Sequence, residues 1–222
     1  MPKLQIKKKS TWVDMTAFVD VSFLILSFFM LATKFKPPET ASVANPTSVS
    51  SEDVAEKDVF KVSFDKLGRC FISFSTDSEA KSRVMNMLDA LETQQGIKLD
   101  PEKKSRFVKY SVGGIGVPFS DLDKFLNLSE DELSSYQQPG IPIKDTSDNQ
   151  LFYWINALLV GNEYQKPKNI MLNGDNAAKY PEFKNIITAF KRNNIFNFKL
   201  ITALEEAPAN TPLSNSRNKI KK

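Results

Sequence analysis

The longest apolar run of the chain, VDMTAFVDVSFLILSFFMLA at residues 13–32, carries two acids. About 20 apolar residues rising roughly 1.5 Å each span the ~30 Å of hydrocarbon in a bilayer, so the pattern predicts one transmembrane helix over 13–33. At about 100° per residue, Thr16, Asp20, Phe23 and Ser27 share one stripe of that helix, while Asp14 points to nearly the opposite side. A carboxylate at such depth costs several kcal/mol unless it is paired or hydrated, which makes Asp20 a candidate functional residue by default. Thr16 and Ser27 extend it into a thin polar lane. Lipid offers such a lane no hydrogen bonds, so it should face partner helices or a water-filled path.

Beyond the span the pattern changes twice. Residues 34–57 are rich in Pro, Ser, Thr, Ala and Glu, with almost nothing to bury. They read as a flexible tether with an end-to-end distance on the order of 25 Å. An α+β domain over 58–206 follows. Residues 59–65 (VFKVSFD) alternate as a strand, 67–69 supply a turn, and 70–75 continue as the hairpin partner. Thr76 and Glu79 form a T-x-x-E capping signature ahead of a helix whose buried face is Val84, Met87, Leu88 and Leu91. Leu151, Trp154, Ile155, Leu158 and Leu159 mark a second amphipathic helix, and 168–173 (KNIMLN) a short strand. Pro181 opens a third helix with inner face Phe183, Ile186, Ile187 and Phe190. Residues 195–204 are expected to close the domain as a strand, with Phe196, Phe198 and Leu200 on one face.

Composition narrows the chemistry. The chain has 222 residues, a formal net charge of +4, no histidine and one cysteine. That removes Ser-His and Cys-His catalysis, histidine metal sites and an intramolecular disulfide, and no metal or cofactor set stands out. Basic residues are scattered, with runs only at the ends, so nothing points to nucleic acid. Cys70 reads as a small buried residue in a strand. Residues 1–12 form a basic tail and 207–222 a disordered basic one. The apolar run is long for a signal peptide and ends in a poor cleavage site, which predicts an uncleaved anchor. More lysines before the run than after it place the N-terminus in the cytoplasm and the domain outside.

Residues 98–150 interrupt the domain. They contain Gly113, Gly114 and Gly116, read as a hinge or turn because no lysine follows as in a phosphate loop. The acids Asp121, Asp123, Glu130, Asp131 and Glu132 lack the spacing of a calcium loop, and Ser129 with Glu132 reads as a helix cap. The segment is expected to be a partner-contact or species-specific elaboration.

The order of parts resembles the ExbD/TolR family, single-span subunits of proton-driven energy-transducing complexes in Gram-negative inner membranes. The resemblance rests on Asp14-Met15-Thr16-Ala17-Phe18-Val19-Asp20-Val21, on Phe28-Phe29-Met30, and on Asn173-Gly174-Asp175 followed by Tyr180. Most members carry Pro where this chain has Ala17, and the short members lack a counterpart of 98–150. By resemblance Asp20 is the proton-carrying carboxylate, Thr16 and Ser27 are its polar neighbours, and protons are the coupling ion in place of any cofactor. The resemblance further implies that copies of the helix sit inside an ExbB/TolQ-like multi-span channel protein. The periplasmic domains would then dimerise and pass force to a TonB- or TolA-like protein spanning the periplasm. A TolR-like envelope role, or a stator-like one with peptidoglycan contact, is the alternative. A membrane-tethered enzyme finds no support in the residues.

Overall fold

The computed structural model describes residues 15–32, 43–48, 57–144 and 149–204. The chain divides into two compact units at residues 36 and 37. The first contains α1 (Met15–Ala32), an 18-residue helix whose only polar side chains are Thr16, Asp20, Ser22 and Ser27. At roughly 1.5 Å per residue it is about 27 Å long, a little short of the ~30 Å hydrocarbon core. Among the described residues no helix is long and apolar enough to cross a membrane. The expected span over 13–33 is therefore seen only in its central part, and Asp14 lies outside the described residues.

The second unit is built on a mixed four-stranded sheet, in the order β3-β2-β4-β5, and a separate two-stranded pair of β1 and β6. In chain order its elements begin with β1 (Thr47–Ser48), β2 (Val59–Phe64), β3 (Cys70–Phe74) and α2 (Ser78–Gln95). There follow α3 (Pro101–Tyr110), α4 (Phe119–Asn127), α5 (Glu130–Ser135), α6 (Gln150–Gly161) and β4 (Asn169–Gly174). The chain closes with α7 (Tyr180–Arg192), β5 (Lys199–Leu200) and β6 (Ala203–Leu204).

The hairpin predicted at 59–75 forms as β2 and β3, with Phe60 opposite Phe74, Val62 opposite Ile72 and Phe64 opposite Cys70. Alternation puts these side chains on one face, where they join the helices in a single core. β2 then pairs in parallel with β4, and β4 with β5. The predicted stripes on α2 and α6 are buried in full. On α7, Ile186 and Phe190 are buried while Phe183 and Ile187 pack at the margin.

Three expectations are corrected. The N-cap of α2 is Asp77, whose side chain accepts from the Ala80 N–H, and not Thr76. The closing strand is broken: β5 and β6 have two residues each and belong to different sheets, and Phe196 and Leu200 are exposed. Part of the expected tether is docked, because Thr47 and Ser48 pair in parallel with Ala203 and Leu204.

The insertion contributes to the core of the domain. Its Phe107, Ile115, Val117, Leu122, Phe125 and Ile141 lie in the core. Ile72 and Ile115 exchange backbone hydrogen bonds of 2.9 and 2.8 Å, and Ile141 N–H donates to Cys70 O, so the insertion closes the outer edge of β3. Gly116 has no side chain because a Cβ there would run into the Phe71 ring and the Cys70 carbonyl. Close approach explains that member of the glycine cluster. The predicted Ser129–Glu132 capping box is present at α5.

Candidate functional site

α1 forms from residues with little reason to break a helix: it has no Pro or Gly, and its two serines satisfy themselves locally. Ser22 Oγ donates to Phe18 O at 2.8 Å and Ser27 Oγ to Leu24 O at 3.0 Å, a bond the i−3/i−4 carbonyl offers without distorting the helix much. Every large apolar side chain on α1 is exposed, from 52% at Ile25 to 89% at Leu31.

Asp20 is exposed on this apolar surface and makes no hydrogen bond or ion pair among the described residues. Thr16 lies one turn before it, and the two line one shallow depression with Met15, Ala17, Val19 and Phe23. Ser27 is two turns further on, about 10 Å along the axis, too far for a direct hydrogen bond to Asp20. The structure thus brings Thr16 and Asp20 together and leaves Ser27 apart, with its proton already given to Leu24. Ser22, which the stripe does not include, is a further polar group on the helix. Its hydroxyl is occupied in the same way.

In the folded domain the turn after β4 gathers polar contacts around a motif residue, Asp175. Asp175 Oδ2 accepts from the Ala44 N–H at 3.0 Å, Asp175 Oδ1 accepts from the Ala177 N–H at 2.8 Å, and Asn176 N–H donates to Ala44 O at 2.9 Å. The Ala177 bond foremost, then the Ala44 bond, holds the Asp175 carboxyl below the usual carboxylate range. With Ala203 N–H donating to Pro46 O at 2.8 Å, these contacts dock residues 43–48 as a strap on the domain. Tyr180, the other signature residue, is 72% exposed at the start of α7.

Burial pushes the Cys70 thiol far up, which leaves it a poor nucleophile. Among the described residues no group of three or more His, Cys, Asp or Glu side chains is placed to hold a metal ion.

The family model for "Biopolymer transport protein ExbD/TolR" matches residues 7–205, which takes in α1, Asp20 and the whole sheet. The chain belongs to the ExbD/TolR family. No curated protein and no solved structure matches it. ExbD/TolR proteins are non-enzymatic, transport-associated subunits of the inner membrane and generally work with ExbB/TolQ and TonB/TolA partners. Residues 98–150 lie inside the match, in keeping with their place in the core of this member's domain.

Proposed function

We propose that this ExbD/TolR chain is the single-span subunit of a proton-motive-force-driven complex, and that Asp20 carries the proton. One observation supports the reading above the others: a lone carboxylate, beside one hydroxyl, on a helix whose large apolar side chains are all exposed and whose two serines bond to its own backbone. α1 together with the residues flanking it would cross the bilayer, with lipid on most faces and channel-protein helices on the Thr16–Asp20 face. Alternating access to the two sides would let Asp20 gain and lose a proton there. One proton falling through ~150–200 mV releases about 3.5–4.6 kcal/mol, at ~2.3 kcal/mol per 100 mV, enough to shift packed helices. The motion would travel through the tether to a folded domain that works, as a dimer, on a periplasm-spanning partner.

Asp20→Asn keeps the size and removes the charge. With normal protein levels in the membrane, loss of growth on a haem or siderophore iron source assigns the chain to TonB-type import. Detergent sensitivity with normal uptake assigns it to the Tol-type branch. Wild-type behaviour on both, in a strain lacking paralogues, contradicts the role of Asp20.

A further inference from the structure

The point where the chain enters β2 is held on every side. Asp58 is 1% exposed and adopts φ +48°, a left-handed conformation that a non-glycine residue keeps only when its surroundings enforce it. Its Oδ1 accepts from Arg83 Nε at 2.7 Å and its Oδ2 from the Lys168 N–H at 2.8 Å. Asp58 N–H donates to Asp77 Oδ2 at 3.0 Å, and Asp58 O accepts from the Asn169 N–H at 3.2 Å. On either side, Lys57 O accepts from Asn169 Nδ2 at 3.0 Å and Val59 N–H donates to Ser75 Oγ at 2.9 Å. Arg83 is itself largely buried, donates to Gln165 O at 2.7 Å, and lies 3.7 Å from Glu79, which pairs with Lys168. Asp58 is thereby tied to α2, to its cap and to the start of β4, and its neighbour Val59 to the end of β3.

A buried ion pair of this kind is a weak source of stability, because apolar residues of similar volume often serve as well, but removing one partner is strongly destabilising. Its position supplies the missing reason. The strap at 43–48 is only half-buried and held by a two-residue pairing and the Asp175 contacts, so it can be peeled away bond by bond. At Asp58 the bonds run to several elements at once and must yield together. We propose that the Asp58–Arg83 clasp is the anchor at which tension from the membrane helix enters the folded domain. The proposal rests on the force-transmitting reading above. Release of the strap would free residues 43–48, about 20 Å of extended chain, before load reaches the clasp.

The test pulls the full-length chain, held in detergent micelles, between a handle at Thr40→Cys and one at Asn197→Cys. A control pulls between Gln94→Cys and Asn197→Cys. Cys70 is buried and does not take a handle. Arg83→Met should shorten the lifetime under constant load on the order of a hundredfold along the first axis, the scale of one broken buried pair, and less than about threefold along the second. Arg83→Lys, which keeps the charge and loses the fork, guards against simple misfolding and should give roughly a tenfold loss on the first axis alone. The strap extension should be unchanged in both variants. Equal weakening on both axes, or no weakening by either variant, overturns the proposal. Asp20→Asn leaves these lifetimes untouched, so failure of the proton reading and failure of the clasp are separate results.

Discussion

α1 and α6 are the two most apolar helices of the molecule, and they are opposites in burial. On α6, Leu151, Trp154 and Ile155 are 0% exposed, and on α1 Phe23, Leu24 and Phe28 are more than 60% exposed. α6 finds its cover within the chain: α2 and α7 flank it, and Trp154 packs against Phe107 and Phe119 with centroids 5.4 and 5.1 Å apart. α1 finds none among the residues of its own unit. The difference teaches that apolarity says a surface must be covered, and only tertiary context says by what. It also separates two kinds of acid. Asp58 is buried with its partners built in, whereas Asp20 is exposed on an apolar helix and, in the proposed reading, meets its partners in a channel protein.

The comparison breaks most visibly at Trp154. Trp154→Ala should cost the domain about 3–5 kcal/mol in chemical denaturation. Leu24→Ala on α1 should leave that transition where it is and weaken only co-purification with the channel partner. A folding loss from the α1 variant would mean that the helix is covered by its own chain. Phe107→Ala sharpens the point for the insertion. A fully buried position predicts a loss of about 3–4 kcal/mol, while a peripheral elaboration would lose under about 0.5 kcal/mol.

Smaller effects follow at the polar anchors. Burial alone would raise the Asp77 carboxyl, but bonds from the Ser75 hydroxyl and from the Ala80 and Asp58 N–H groups outweigh it and hold it at about 2. Because the folded value is depressed, the contribution of Asp77 is complete above the usual carboxylate range near ~4 and is lost as pH falls toward about 2. Asp77→Ala should therefore cost on the order of 1 kcal/mol at neutral pH, and the gap to wild type should close in acid. Asp175→Asn is the mildest change. It should speed hydrogen exchange at the Ala44 and Ala203 amides, where the strap is held, with no measurable change in Tm.

Periodicity made α2, α6 and α7 legible, since their buried faces depend on spacing within one element. The strand-turn-strand at 59–75 was legible for the same reason. What escaped depends on distant partners. Nothing in 195–204 shows that Ile201 N–H will reach Leu172 O and that the chain will then turn to meet Thr47 and Ser48. Asp58 and Arg83 stand apart with no pattern to join them. At the α2 terminus two capping signals overlapped, and Asp77 prevailed because its carboxylate also serves Ser75 and the Asp58 N–H. In α1 the stripe put Asp20 and Thr16 on one face, and they line one depression there. It placed Ser27 in the same lane without showing that the hydroxyl would turn back to its own helix.

The central claim is that Asp20 works in an apolar site made by partner helices inside the membrane. An apolar carbodiimide, which partitions into lipid and modifies protonated carboxyl groups, tests it directly on native membranes by peptide mass spectrometry. The account predicts a mass adduct at Asp20 and none with a water-soluble carbodiimide of equal reactivity. Modification of Asp20 by the water-soluble reagent alone, or by neither, would contradict it.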